Sequence, residues 1–189
     1  MEETRISVRR EIVYPALVAG VVAGVLGITA AIVTSGFRGV APIRILQSVA
    51  SGLLGTEAYS GGLSTAAFGI ALHFSMILAF SFVYMLAFEK SLVVRAHALW
   101  SGAVYGVAIY IFMNGVVLPL SAFPHKLNYD AALLTIGILT HIVCVGLPMA
   151  VIAKSMAAAP KSRSSGQAGN AAQASSSVAR PAPHRDVRL

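Results

Sequence analysis

The chain has 189 residues, 57% of them hydrophobic and only 11% charged, with a net charge of +7. A domain that faces water on all sides carries about 25% charged residues, so a soluble globule is excluded and lipid must be the solvent for much of the surface. The basic residues sit at the edges of apolar runs and in the C-terminal tail, which points away from nucleic acid and toward membrane topology and anionic lipid headgroups.

The opening "RISVRRE" resembles the basic region of a signal peptide. The apolar run that follows, Val13–Gly36, is longer than a cleavable signal needs and lacks an A-x-A site, so it reads as a retained anchor. It carries "GVVAG" at Gly20–Gly24, a G-x-x-x-G pattern that puts two glycines on one helix face and lets a partner backbone come close. Next, Pro42–Gly55 places Ile43, Leu46, Ala50, Leu53 and Leu54 on one helical face and Arg44, Gln47, Ser48 and Ser51 on the other. That suits a short helix lying on the outer interface, or one packed over the bundle.

Three further runs follow: Ser64–Phe88 with "GIALH" at Gly69–His73, Ala98–Leu120 with "GAVYG" at Gly102–Gly106, and Ala131–Ala153 with "GILTH" at Gly137–His141. Crossing the ~30 Å hydrocarbon core takes about 20 helical residues, and each run provides them. Continuous runs favour helices over the alternating strands of a barrel. Residues 156–189 are Ala/Ser/Pro-rich and basic, without aromatics, and read as a disordered cytoplasmic tail beyond a membrane domain of residues 1–155. Tyr14 and Trp100 read as interfacial anchors, and His97 and His125 as solvated.

Arg5, Arg9, Arg10, Lys90, Arg95, Lys154, Lys161 and Arg163 fall on one side of the membrane, and Arg38, Arg44 and Lys126 on the other. The positive-inside rule then puts both termini in the cytoplasm. The order G-x-x-x-G helix, G-I-x-x-H helix occurs twice, which predicts a four-helix bundle built from two αα repeats plus the short interfacial helix. Both halves start on the same side, so a symmetry axis would run along the membrane normal.

The stretch "LWSGAVYGVAIYIFMNGVVLPLSAFP" at Leu99–Pro124, with the His73 and His141 helices, resembles the YagU-like family of bacterial inner-membrane proteins over roughly Leu63–Lys154. The resemblance implies a small multi-span inner-membrane protein and brings no established chemistry with it. The long polar loop of that family is replaced here by the shorter Arg38–Gly62 segment.

Chemistry should sit with polar groups inside the membrane, which are costly toward lipid and normally face the bundle interior. At 1.5 Å per residue, His73 lies about 13 Å, His141 about 15 Å and Asn114 about 9 Å from the outer ends of their helices. Each histidine has a glycine four residues before it (Gly69, Gly137) and a sulfur three residues after it (Met76, Cys144), all on its own face. Such glycines can serve helix packing, or clear space for a flat ligand between facing histidines, as in haem b sites. Sulfur beside imidazole suits a soft metal. A bare histidine pair can pass a proton, and histidines bonded only to Asn114 or a backbone carbonyl would bind nothing. His73 and His141 are expected to face each other, with Asn114, in one pocket open to the outer face and covered by Pro42–Gly55.

Pro148 should kink its helix and free the Cys144 carbonyl. Cys144 is the single cysteine, so no intrachain disulfide forms. No catalytic triad, phosphate loop or zinc signature occurs, so no catalytic residue is assigned. Three roles stay open: passage of a small solute or proton, haem or metal binding for electron transfer, and a scaffold for a membrane-protein partner or a second copy.

Overall fold

A backbone in lipid has no water to bond to, so a spanning segment must satisfy its own N–H and C=O groups. The computed structural model describes residues 9–124 and 130–158, and its spans are helices. They are α1 (Glu11–Gly36), then α2 (Pro42–Leu54), α3 (Gly62–Lys90), α4 (Ala98–Leu120) and α5 (Ala131–Ala158). All but α2 are long and apolar enough to cross a bilayer, and no strand occurs among the described residues. The protein is an all-α, multi-pass membrane bundle. The helices run a few residues beyond the apolar runs at both ends of α3 and at the C-terminal end of α5, where Lys90 and Lys154 can reach the interface on long aliphatic stems. Residues 156–158 therefore belong to α5, whereas the expected tail beyond them, with Lys161 and Arg163, lies outside the described residues, as do Arg5, His125 and Lys126.

Because consecutive spans alternate in direction, Tyr14, Lys90, Ala98 and Lys154 mark one end of the bundle (the Lys90 end). Gly36, α2, Leu120 and Ala131 mark the other (the Arg44 end). At the Lys90 end a short turn, Leu92–Ala96, joins α3 to α4, capped by Ser91 accepting from the Val94 N–H. There Arg95 pairs with Glu89 at 3.6 Å and lies over the Phe88 ring. Tyr14, Trp100 and His97 are exposed there.

Helix α1 packs along α3 and along α5, and α4 packs along α5. The backbones of α3 and α4 stay apart and meet through side chains: Tyr105 donates to the Phe80 carbonyl at 2.8 Å, and Tyr84 to the Ala98 carbonyl at 3.1 Å. Ser81, fully buried, ties α3 to the Ala16 carbonyl of α1 at 2.8 Å. Interhelical bonds of this kind contribute about 0.6 kcal/mol each in lipid.

The glycines of the first and third spans both accept close neighbours, but different ones. A Cβ on Gly20 would stand 2.6 Å from Leu78 Cδ2, and one on Gly24 2.6 Å from the Phe74 ring. In α4 the neighbour is backbone: a Cβ on Gly102 would stand 2.7 Å from the Gly146 carbonyl oxygen, and one on Gly106 2.5 Å from that of His141. The α1–α3 contact thus uses glycine to seat large side chains, and the α4–α5 contact uses it to bring two backbones together.

Three π-helical turns interrupt the regular helices among the described residues: Arg9–Val13, Met113–Val117 and His141–Gly146. Each ends two residues before a proline, namely Pro15, Pro119 and Pro148. Proline offers no N–H and its ring presses on the carbonyl four residues back. Widening the preceding turn by one residue relieves that clash. In the two turns within the membrane, the N–H just before the proline reaches back five residues, from Leu118 to Met113 and from Leu147 to Ile142. The kink expected at Pro148 takes this form.

Helix α2 starts with Pro42 at its first turn and ends at Gly55, whose φ of +59° an L side chain would resist. It packs on the Arg44 end of α3, with its Leu46 carbonyl against Gly69. Its faces depart in part from the amphipathic expectation, although Ala50 is buried and Arg44 exposed as expected. Gln47 and Ser51 are buried with Ala50, whereas Leu53 and Leu54 are exposed. The reason is hydrogen bonding: Gln47 Nε2 donates to the Gly62 carbonyl at 3.1 Å and reaches Thr65 Oγ1, and Ser51 donates to the Ser48 carbonyl. Polar groups with partners pack inward, and leucines turned toward lipid cost nothing.

Candidate functional site

Four interior stripes lead to the site. They are Ala16, Gly20, Gly24 and Gly27 on α1; Ala66, Gly69, His73, Ile77, Ser81 and Tyr84 on α3; Gly102, Gly106, Tyr110 and Asn114 on α4; and Gly137, His141, Val145, Met149 and Ala153 on α5. Residues three or four apart share a helix face, so each stripe is one line of contacts.

Along these lines the packing is uneven. The buried apolar core consists of Ala16–Ala23 on α1, Ile77–Phe88 on α3, Ala98 and Ile109 on α4, and Val145–Ala153 on α5. Every one of these lies in the half nearest the Lys90 end. In the other half the first ten residues of α5, Ala131–Thr140, bury no side chain at all. There α3 contributes to burial only where α2 covers it, at Ala66 and Gly69. His73, His141, Tyr110 and Asn114, all half-buried, stand where the core stops.

His73 Nε2 lies 3.0 Å from the Gly24 carbonyl on α1. A carbonyl can only accept, so Nε2 carries a proton, and in the neutral imidazole Nδ1 is the unprotonated nitrogen. Gly24 makes this possible, since with no side chain its carbonyl is open to the neighbouring helix. The Phe74 ring fills the remaining space and stands edge-on to the His73 ring at 5.5 Å. His141 has the opposite tautomer. Its Nδ1 donates to the Gly137 carbonyl at 2.9 Å, leaving Nε2 unprotonated, and the Tyr110 ring stands edge-on to it at 5.3 Å. Both imidazoles are thus oriented by a helix carbonyl and flanked by an aromatic ring.

Gly27 of α1 lies against His73 of α3 and against Val145 of α5. A Cβ there would stand 3.9 Å from His73 Cε1 and 3.7 Å from Val145, one turn from His141. Asn114 spends its amide on the Tyr110 carbonyl, four residues back, at 2.9 Å. It does not bond to either imidazole. Met76 and Cys144 are half-buried on the same helices as the histidines, and among the described residues no three His, Cys, Asp or Glu side chains gather as a metal site.

The expected space for a flat ligand is taken up by the protein. The notch at Gly69 is filled by the Leu46 carbonyl of α2, and a Cβ on Gly137 would meet the Tyr110 ring at 2.5 Å. These glycines serve packing. Helix α2 lies one turn above His73 on the same face of α3, and its Gly52 carbonyl accepts from Ala122 N–H at 2.8 Å beyond the end of α4.

Two residues of this site escaped the sequence reading. Tyr110 had a signal, since it continues the four-residue spacing Gly102, Gly106, Asn114. Gly27 had none, because its role depends on which helices α1 touches. A second polar layer was also missed, formed by Ser81, Tyr84, Ser101 and Tyr105 between the histidines and the Lys90 end.

Fold and site together define the class: a multi-pass helical membrane protein with a histidine pair inside the membrane-spanning region. Compared with known protein families, with curated proteins and with solved structures, the chain matches none.

Proposed function

We propose that the protein resides in a bacterial inner membrane with both termini in the cytoplasm, and that it passes a proton or small solute by way of His73 and His141. The supporting observation is the position of the pair where the packed core ends. On one side lies the continuous core, Ile77 to Phe88 and Val145 to Ala153; on the other, α5 buries no side chain before His141 and burial is confined to Ser35 and to the seat of α2 and the turn after it on α3. With the Lys90 end inside, as the Lys and Arg distribution favours, the pair sits at the floor of a vestibule facing outward. A carrier waiting for its substrate has this form, with binding groups near the bilayer midplane and one side closed. The tyrosine–serine layer at Tyr84, Ser101 and Tyr105 is then the inner barrier. The resemblance to YagU-like proteins agrees with this membrane and this number of spans, and adds no substrate.

Orientation is checked first. A fluorescent reporter fused to the C-terminus should be bright, and a reporter active only in the periplasm should be silent at that position. The reverse result would place the histidines toward the cytoplasm and remove the vestibule from the outer face.

Passage is checked in liposomes containing the purified full chain and a pH-sensitive dye. An external acid pulse should acidify the interior faster than in protein-free vesicles, and His73→Phe or His141→Phe should abolish the difference. Equal rates with and without protein would count against a proton, and unchanged rates in both variants against the histidines.

A further inference from the structure

Helix α2 is held in two different ways on its two sides. Toward α3 it is deeply seated. The Leu46 carbonyl fills the notch at Gly69, and Gln47, Ala50 and Ser51 are buried. Gln47 Nε2 donates to the Gly62 carbonyl at 3.1 Å, and Arg44 Nη1 to the Tyr59 carbonyl at 3.0 Å. Leaving this seat would strand buried polar groups without partners, so α2 moves only together with the end of α3.

Toward α4 the contact is of another kind. The Ala122 N–H donates to the Gly52 carbonyl at 2.8 Å. A Cβ on Gly52 would stand 3.9 Å from Ser121 Cβ, and one on Gly55 3.6 Å from the Ala122 carbonyl oxygen. Both α2 residues are glycines, so neither has a side chain to interlock with the facing chain, and Ala122 is exposed. A backbone bond at an exposed rim can part, because water replaces the lost partner. The segment that carries Ser121 and Ala122 is also jointed. It follows the π turn Met113–Val117 and Pro119, a combination at which helices bend. A Cβ on Gly115, inside that turn, would meet nothing within 4 Å, so the turn has room to flex. At this end the first ten residues of α5 bury no side chain, and the bundle is loosely packed around the joint.

We propose that Gly52 and Gly55 of α2 and Ser121–Ala122 beyond α4 form a clasp that opens and closes the Arg44 end of the bundle. Helix α2 stays seated on α3, and residues 118–124 swing away from it about the π turn at Met113–Val117. This rests on the reading of the protein as a passage protein, and it supplies the outer gate, one turn of α3 above His73. With the clasp shut, as in this structure, α2 caps the outer approach to His73; with it open, that approach is free.

The 3.9 Å between the Cβ positions of residues 52 and 121 lies within the range of about 3.5–4.5 Å that a disulfide spans, so Gly52→Cys with Ser121→Cys can lock the clasp. Cys144→Ser is added so that a single disulfide forms. In liposomes, oxidation should form the bond, stop the acid-driven uptake shown by the same chain reduced, and slow hydrogen exchange at the Ala122 amide; a reductant should restore both. Ala122→Pro, in the otherwise unaltered chain, should act in the opposite direction. It removes the N–H that Gly52 accepts, and Ser121, at φ −89° and ψ 171°, already has the extended backbone that a residue before proline needs. Loss of that one bond should speed uptake about fivefold. Failure of the disulfide to form, uptake that persists once it has formed, or equal Ala122 exchange in the two states overturns the proposal. So does an Ala122→Pro protein that melts like an active unaltered chain and is no faster. If the unaltered chain takes up no protons while the disulfide still slows Ala122 exchange, the reading of proton passage falls and the clasp stands. Uptake that the disulfide does not slow removes the clasp alone.

Discussion

Gly106→Leu is expected to disrupt the bundle more than any other single glycine replacement in the first and third spans. A Cβ at this position would stand 2.5 Å from the His141 carbonyl oxygen and 2.9 Å from Ile142 Cα. Both are backbone atoms, so no side chain can rotate away, and α4 must separate from α5. Overpacking costs about 1–3 kcal/mol where side chains can adjust, and here the upper end or beyond applies. Gly24→Leu should cost less, because its obstacle is the Phe74 ring. Gly36→Leu, with no atom within 4 Å, is the control that should melt like the unaltered protein. Thermal melting in a mild detergent ranks the three. If Gly106→Leu melts with the control, the close α4–α5 contact is not what holds the two helices together.

The order of these effects shows where the sequence was legible. Spans were readable because lipid imposes one rule on every residue, and the observed helices differ from the apolar runs by only a few residues at some ends. Small residues at Gly20, Gly24, Gly102 and Gly106 announced close contact. Whether a backbone or a side chain fills each notch depends on the neighbouring helix, which spacing does not specify. The same limit applies to Gly69 and Gly137, whose packing role was readable while the neighbours that fill them, α2 and Tyr110, were not. Helix α2 packs over the bundle, one of the two placements its pattern allowed, but which residues it buries was not legible. Its polar face was judged by the standards of water, but beside lipid the side with hydrogen-bond partners turns inward and the leucines turn out. For the histidines, pattern and depth placed them on interior faces, and the tautomers became visible only with the carbonyls of Gly24 and Gly137. The interruption at Pro148 was legible too, as a chemical necessity of proline.

That interruption supports the second large effect, expected for Pro148→Ala. Alanine restores an N–H that the Cys144 carbonyl can accept four residues back, so the reason for the π turn at His141–Gly146 is gone. Closing the turn to regular α-helix removes one residue from it and rotates everything on its outer side by about 100° relative to Met149 and Ala153. His141 begins that turn, so its ring leaves the edge of Tyr110 and no longer shares a site with His73. The core residues Met149, Ala150 and Ala153 lie beyond the turn and keep their places, whereas Val145 and the backbone at His141 and Ile142 that Gly106 meets lie in it and shift. Passage in liposomes should therefore fall to the level of His141→Phe, while the melting temperature falls by less than in Gly106→Leu, because no side chain is forced between α4 and α5 and alanine is the better helix former. Pro119→Ala should act in the same way on Asn114, which lies inside the other membrane-embedded π turn. Complete loss of passage in a protein that still melts cooperatively separates this from a folding defect. A Pro148→Ala protein with unaltered flux and unaltered His141 ring resonances would mean that the contact at Gly106, not the proline, holds the turn open.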